Sequence, residues 1–197
     1  MKWCRFQVNG VAKYGLVGGD QITQVAGDPF NGYQETPNRL TLDQVKLLVP
    51  VVPPTLYAGG LNYPDHVVWA AKHAGTAPAW PKEPIVGTRA VSGLIAHEET
   101  IIKPKDATEE FQYEGELVAV IGKPAKHLSR KDALSCVLGY TIGNDVSERT
   151  WQTDDTNNWR AKDSDTFHPM GPFIATGIDP TNLEVAVRLN GDEKIRF

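Results

Sequence analysis

The sequence contains too few cysteines for a disulfide-stabilised or zinc-binding protein. Cys4 and Cys136 are the only two among 197 residues, and they lie far apart in apolar surroundings. Two such residues form neither a disulfide framework nor a zinc-ligand spacing. We therefore expect both cysteines to be reduced residues of the core.

The chain also lacks a long apolar segment. Its most apolar stretch, VKLLVPVVPPTLYAGGL at residues 45–61, is interrupted by prolines and glycines, whereas a membrane-spanning helix needs about 20 apolar residues. The N-terminal sequence MKWCRFQVNG has no apolar core of a signal peptide. These absences predict a soluble, cytoplasmic protein with no membrane partner.

Positive charge is the third shortage. The 20 Lys and Arg residues are outnumbered by 24 Asp and Glu, the net charge is −4, and the basic residues are scattered. Nucleic acids and anionic membrane surfaces are bound by clustered positive charge. We expect no nucleic-acid partner. The hydrophobic share of 41% and charged share of 22% are those of an ordinary globular protein.

The N-terminal region predicts a small β module. Short alternating runs over residues 1–30 are joined at Asn9-Gly10 and at Gly18-Gly19-Asp20, and Asn-Gly between such runs is typical of a hairpin. A loop and a short helix near 42–48 follow, and the proline-rich VPVVPPT ends the segment. We place this module and linker at residues 1–55.

Residues 56–197 predict a second domain of mixed α and β structure. Helices are expected at 66–75, ending at Gly75, and at 129–140, and strands at 91–95, 100–103, 113–121 and in the segments after residue 170. The strand that follows the Asn190-Gly191 turn is cut at Phe197, which predicts a chain truncated at its C-terminal end. The expected fold class is α+β, mostly β.

The stretch EFQYEGELVAVIG places two carboxylates beside an apolar strand. Glu114 and Glu116 point to the same face of a strand, about 6.5 Å apart along the chain. A solvent-exposed strand face is the more common explanation of such a pair. However, the next residues on this face are Val118 and Val120, so the carboxylates would enter a buried surface, where they need a compensating cation.

A third acid, Asp145, ends the apolar strand GYTIGND. Three carboxylates with open positions for water are typical of a Mg²⁺ or Mn²⁺ site, because magnesium takes few protein ligands and prefers oxygen. No histidine or cysteine lies near these acids in the sequence, which argues against zinc. We therefore predict Glu114, Glu116 and Asp145 as metal ligands.

Four blocks, YAGGLNYPDH, YEGELVAVIG, GYTIGNDVSER and KDSDTFHPMGPFIATG, resemble the fumarylacetoacetate hydrolase family in sequence and order. They cover roughly residues 56–197. The resemblance implies a mixed β-roll or sandwich domain around a Mg²⁺ held by the E-x-E pair and the following Asp. It further implies a small acidic oxo-acid substrate and a homodimer. Some members add an upstream Asp to the metal shell; here that region is Gly59-Gly60, so only the three carboxylates are expected.

The resemblance also assigns catalytic and substrate-binding residues. His66 matches the family's catalytic histidine, and Lys162 matches the lysine that stabilises negative charge on a substrate oxygen. Arg89 and Gln152 match contacts to the substrate, and a guanidinium suits a carboxylate because it binds both oxygens.

One position departs from the family pattern. Many members carry a Glu three residues after the catalytic histidine, whereas this chain has Trp69. The base would then need another acid to orient it, or the chemistry of this segment differs. The remaining histidines, His73, His97, His127 and His168, have no partner at a recognisable spacing and are expected to be structural.

The predicted function is a Mg²⁺-dependent hydrolase that cleaves a C–C bond of a 2,4-dioxo, acylpyruvate-like acid, with the ion stabilising the enolate that forms. His66 would activate water, Lys162 would support the oxyanion and Arg89 would hold a carboxylate. Two alternatives remain open: an isomerase or decarboxylase of 2-oxo or 2-hydroxydienoic acids on the same metal site, and an inactive paralogue that binds metal or ligand.

Overall fold

The N-terminal residues form an antiparallel meander of four strands. In a computed structural model, which describes residues 1–196, the first turn has positive φ at both Asn9 and Gly10 (48° and 79°). Such a turn matches the twist of the strands that it joins, so the predicted hairpin is confirmed. The strands are β1 (Lys2–Val8), β2 (Val11–Gly18), β3 (Gln21–Asp28) and β4 (Gly32–Thr41).

The remaining elements are mostly short strands, which confirms a largely β fold. The strands are β5 (Lys46–Leu48), β6 (Leu56–Gly60), β7 (Ile85–Arg89), β8 (Leu94–Ile95), β9 (Phe111–Gln112), β10 (Gly115–Ile121), β11 (Val137–Asn144), β12 (Ser147–Glu148), β13 (His168–Pro169), β14 (Ile174–Ala175), β15 (Ala186–Leu189) and β16 (Asp192–Arg196). The α-helices within residues 1–196 are α1 (Pro64–Ala74), α2 (Arg149–Asp154) and α3 (Trp159–Lys162).

One sheet joins early and late strands of the chain. Its order is β10-β11-β14-β1-β2-β3-β4, and β5 also pairs with β1. The β1–β14 contact pairs Lys2 with Ala175 and Trp3 with Ile174. Strands from before and after residue 55 are therefore hydrogen-bonded in one sheet, although the sequence predicts a domain boundary at that residue.

Strand β1 is buried on both faces of this sheet. Because side chains alternate along a strand, Trp3 faces one side, where it packs with Ile174, and Cys4 and Phe6 face the other. All four side chains are nearly or fully buried. Burial also raises the pKa of the Cys4 thiol to about 12. Both cysteines are free, as expected, although Cys136 is only half-buried.

Small two-stranded ribbons surround the end of the sheet where β10 begins. They pair β6 with β7, β8 with β13, β9 with β12, and β15 with β16. Helix α1 lies in the connection between β6 and β7 and ends at Gly75, whose φ of 67° suits a C-terminal glycine. The helix predicted at 66–75 is therefore confirmed, with its start two residues earlier.

The helix predicted at 129–140 is wrong. Ser129 and Asp132 bond to each other and open a turn, a single 3₁₀ turn spans Ala133–Cys136, and β11 follows at Val137. The apolar residues have helical spacing, but from Val137 onward the chain pairs with β10. Such tertiary pairing overrides the local helix propensity.

Other boundaries also differ from those predicted. The loop expected after residue 30 is largely strand β4, and the helix near 42–48 is a 3₁₀ turn at Leu42–Gln44 followed by β5. No strand forms at 100–103, and the strand at 91–95 is reduced to Leu94–Ile95. Within residues 1–196, helices are too short or too polar to cross a membrane.

Candidate active site

Strands β10 and β11 bring the predicted carboxylates to one edge of the sheet. The Asp145 N–H donates to the Glu114 carbonyl at 3.0 Å, and the Glu114 N–H donates to Asn144 Oδ1 at 2.9 Å. Glu116 lies opposite Gly143. A Cβ at Gly143 would lie 2.8 Å from Val118 Cγ2 and 3.9 Å from the Glu116 Cβ, so the glycine leaves room beside the carboxylate.

Lys162 joins two of the three carboxylates. It ends helix α3, and its Nζ donates to Glu114 Oε2 at 2.7 Å and to Asp145 Oδ2 at 2.8 Å. Only 6% of its side chain is exposed. The structure thus brings Lys162, Glu114 and Asp145 together, and buried charges of this kind require such pairing.

Two arginines complete the pairing of these carboxylates. Arg89, at the end of β7, donates from Nε to Asp145 Oδ1 at 2.7 Å and from Nη2 to Oδ2 at 2.9 Å. Arg149, the first residue of α2, contacts Glu114 Oε1 at 2.6 Å and donates to Gln152 Oε1 at 3.0 Å. The two predicted substrate contacts, Arg89 and Gln152, are therefore bonded to protein side chains.

The surroundings move the pKa values of Asp145 and Glu116 in opposite directions. Burial disfavours the Asp145 carboxylate, but hydrogen bonds and charges from Arg89 and Lys162 outweigh burial and lower its pKa to about 2. Burial raises the pKa of Glu116 to about 7; the Tyr63 hydroxyl opposes that shift, and the charges of Glu114 and Asp145 add to it. Among residues 1–196, the salt bridges of this cluster involve Asp145 and Glu114 but not Glu116.

The donor set suits a hard divalent cation by its chemistry. Three carboxylates supply oxygen ligands, and Glu116 is a partly buried acid without a salt-bridge partner among the described residues, so an added cation would favour its charged form. Across residues 1–196, however, no three His, Cys, Asp or Glu side chains are arranged to hold a metal. Lys162 Nζ lies between two of the predicted ligands. The Mg²⁺ or Mn²⁺ site stays a prediction.

Helix α1 is connected to this cluster at its first turn. Tyr63, which precedes the helix, accepts a hydrogen bond from the Leu117 N–H at 3.1 Å, and its hydroxyl bonds to Glu116. His66 lies one turn further and is exposed. Its ring lies 6.1 Å from that of Trp69. For the described chain, no hydrogen bond or ion pair joins His66 to the carboxylates, and no acid orients it.

A buried histidine lies behind the cluster. Asp163 Oδ1 accepts from the Ala90 N–H at 2.7 Å and lies 2.9 Å from His168 Nε2. His168 Nδ1 is 3.7 Å from Asp145 Oδ1. Burial lowers the pKa of His168, although its bond to Asp163 and the charge of Asp145 oppose the shift. This contact was missed because the five-residue separation of Asp163 and His168 matches no helix or strand period.

Arg149 was also missed by the sequence analysis. Arg149 is the last residue of the GYTIGNDVSER block, which also contains Asp145. Arg149 begins a helix directly after a short strand, four residues after Asp145. The block could therefore have indicated that both side chains lie at the site. The contacts of Tyr63, by contrast, depend on how helix α1 packs and carry no sequence signature.

Comparisons with known proteins agree with this architecture. Residues 55–197 match the family model described as fumarylacetoacetate (FAA) hydrolase C-terminal, and residues 1–50 match a model described as Rv2993c-like, N-terminal. A fumarylacetoacetate hydrolase domain-containing protein 2 homolog of Dictyostelium discoideum is 40% identical over 166 residues, which are 78% of this chain and 52% of that protein.

Two further relatives extend the comparison. The mitochondrial oxaloacetate tautomerase Fahd2a of Rattus norvegicus is 36% identical over 154 residues, covering 76% of this chain and 47% of that protein. The crystal structure of 5-carboxymethyl-2-hydroxymuconate delta-isomerase from Mycobacterium smegmatis superposes with a TM-score of 0.88 at 33% identity, covering 100% of this chain and 75% of that one. The chain spans about half the length of the two curated relatives. With this match over most of its length, the chain belongs to the fumarylacetoacetate hydrolase family.

Proposed function

We propose that this protein is a Mg²⁺- or Mn²⁺-dependent isomerase that interconverts keto and enol forms, or shifts a double bond, in a small 2-oxo acid. The observation that carries the proposal is the Lys162 ammonium, buried between Glu114 and Asp145. A cation held in a poorly solvated site can stabilise the charge that develops on a carbonyl oxygen when the neighbouring carbon loses a proton.

Each residue of the cluster has a role in this proposal. Glu114, Glu116 and Asp145 would hold the divalent ion, which supplies Lewis-acid chemistry when it is bound. Lys162 would stabilise the substrate oxygen. Arg149 is the more exposed of the two arginines and has the geometry to bind a substrate carboxylate.

The chemistry of His66 favours isomerisation over hydrolysis. Isomerisation takes a proton from one substrate atom, passes it to a base and returns it to another substrate atom, without an attacking water, whereas hydrolysis needs a base that is oriented to activate water. Within residues 1–196, His66 has no acid to orient it. The names of the rat tautomerase and the mycobacterial isomerase support the same choice.

Cleavage of a C–C bond in an acylpyruvate-like acid is the second candidate. It is favoured by one observation: His66 lies one helical turn after Tyr63, whose hydroxyl bonds to Glu116. The predicted base is therefore carried by a helix that begins at the site.

An activity panel with and without EDTA and added Mg²⁺ separates these candidates. We expect enol–keto conversion of oxaloacetate or isomerisation of a 2-hydroxydienoic acid, dependent on the metal and reduced at least about 100-fold by Lys162→Met. Lys126→Met, which changes an exposed lysine, is the matched control. Metal-dependent cleavage of acylpyruvates without isomerisation would replace the first candidate by the second. Metal-independent turnover, unchanged in Glu116→Ala, would contradict the site itself.

A further inference from the structure

Asp163 ties together the two segments whose cations pair with Asp145. Lys162 is followed directly by Asp163, and Arg89 is followed directly by Ala90. The Asp163 carboxylate accepts the Ala90 N–H at 2.7 Å. One hydrogen bond thus connects the end of α3 to the end of β7, on which Lys162 and Arg89 are carried.

His168 contacts the same carboxylate oxygen. Its Nε2 is 2.9 Å from Asp163 Oδ1, and only 5% and 8% of the two side chains are exposed. The ring is confined by Gly93, since a Cβ there would lie 2.7 Å from His168 Cδ2. Parallel pairing of β13 with β8 fixes the backbone of His168. The imidazole therefore has little freedom to move.

The other ring nitrogen faces the site. His168 Nδ1 lies 3.7 Å from Asp145 Oδ1, the oxygen that also accepts from Arg89 Nε. The ring consequently lies between the carboxylate that connects the two cation-bearing segments and the carboxylate that both cations bind. Sequence spacing gave this histidine only a structural role.

We propose that His168 and Asp163 are positioning residues that set the places of Lys162 and Arg89 around Asp145. Loss of the imidazole donor would leave the buried Asp163 carboxylate with one hydrogen bond fewer, and such a group shifts or takes up water. Movement of Asp163 would displace Ala90, and with it the two-point contact of Arg89. The inference rests on the proposed function only in taking Asp145 as a metal ligand.

Two measurements on the full chain test this role. The first is the ¹H–¹⁵N signal of the Arg89 Nε–H, which reports its bond to Asp145 without any metal or substrate. The second is Mn²⁺ affinity, measured by titration calorimetry. The variants are His168→Leu and His168→Gln; in His168→Gln an amide can replace the Nε2 donor. His97→Leu, at a half-exposed site, is the matched control.

In His168→Leu we expect a displaced Arg89 Nε–H signal and a loss of Mn²⁺ affinity of about 10-fold, the size typical of residues that orient metal ligands. His168→Gln should restore both to near the unmodified values, and His97→Leu should change neither. An unmoved Arg89 signal in a folded His168→Leu chain would overturn the inference, as would equal defects in His168→Leu and His168→Gln. If the unmodified chain binds no Mn²⁺, the proposed metal ligands fail while the Arg89 signal still decides the role of His168.

Discussion

The three site carboxylates differ in what neutralises them. Asp145 receives a two-point contact from Arg89 and an ammonium from Lys162, whereas Glu116 receives the Tyr63 hydroxyl and faces two like charges. The same short strand pair therefore holds an acid that ionises easily and an acid that resists ionisation. This difference has measurable consequences for stability.

Glu116→Gln should stabilise the metal-free protein at alkaline pH. The pKa of Glu116 is raised to about 7 from an ordinary value of 4.5, so the stability of the folded chain falls as pH rises from 4.5 through 7. Gln imitates the protonated form. In EDTA at pH 8 we expect a gain of about 2 kcal/mol, allowing for partial exposure, and little change at pH 5. Urea unfolding measures both values. Equal effects of Glu116→Gln and the exposed-site control Glu109→Gln would contradict this expectation.

Asp145→Asn should have the opposite effect. The pKa of Asp145 is lowered to about 2 from 3.8, so the carboxylate stabilises the fold fully above pH 3.8, and that contribution is lost as pH falls through 2. Removing its charge leaves Arg89 without its carboxylate partner and Lys162 with Glu114 alone, which costs about 3 kcal/mol at neutral pH. Urea unfolding measures the difference in the free energy of unfolding between Asp145→Asn and the unmodified chain. This difference should be smaller at pH 3 than at pH 7. Asp192→Asn, at an exposed position, should leave the free energy of unfolding nearly unchanged at both pH values. If the loss of stability in Asp145→Asn were the same at pH 7 and pH 3, it would argue against the pairing of Asp145 with Arg89 and Lys162.

At the scale of elements, β11 decides the shape of the site. It pairs with β10 along one edge and meets β14 on the other, and the glycines at 139 and 143 let it pass close to its neighbours. A Cβ at Gly139 would collide with the Ala175 carbonyl oxygen and lie 3.0 Å from Ile174 Cγ2. Close packing of β11 against β14 therefore depends on a residue without a side chain at position 139.

Gly139→Ala should therefore destabilise the protein by about 1–3 kcal/mol, as overpacking of a buried contact does. Gly18→Ala is a matched control, because Gly18 lies in a strand of the same sheet and its Cβ would meet no atom within 4 Å. Thermal and urea unfolding of both variants measure the difference. Equal stability of the two variants would mean that the paired strands β11 and β14 can move apart to accept the extra methyl group without loss of stability.

Elements also show how far the sequence could predict the fold and the site. Glu114, Glu116, Asp145 and Lys162 could be predicted as site residues because each lies in a short contiguous block, and the hairpins could be predicted because their turns have local signatures. The strand over GYTIGND was predicted, but residues 137–140 at its start were assigned to the end of a helix, because the β10 residues that pair with them lie elsewhere in the chain. His168 and Tyr63 were not connected to the site for the same reason: their partners are set by packing.

At the scale of the whole molecule, the N-terminal meander and the site-bearing strands share one sheet. Strand β1 separates β14 from β2, and its Trp3 packs with Ile174 and Val120. Ile174 is fully buried. The residues matched by two separate family models are thus joined by backbone hydrogen bonds and by a common core.

A chain of residues 51–197 should consequently fail to fold to a native state. Without β1, the edge of β14 is unpaired and the Ile174 side chain is exposed, which favours association. We expect a broad, non-cooperative thermal transition and binding of a hydrophobic dye, in contrast to the full chain. Adding residues 1–50 as a separate peptide should restore a cooperative transition. A sharp transition of 51–197 alone would show that the shared sheet is dispensable.

The β1–β14 pairing also bears on the order of events during synthesis. The Met1 amino group donates to the Thr176 carbonyl across a separation of 175 residues. Contacts of such separation form slowly, because a long loop must close before they stabilise anything. On the ribosome, β1–β4 can pair locally soon after they emerge and β5 can then cover part of the other edge of β1, but Lys2 and Trp3 on that edge stay unpaired until β14 is made. An unpaired strand edge favours association with other chains, so the nascent chain is most exposed to aggregation during that interval.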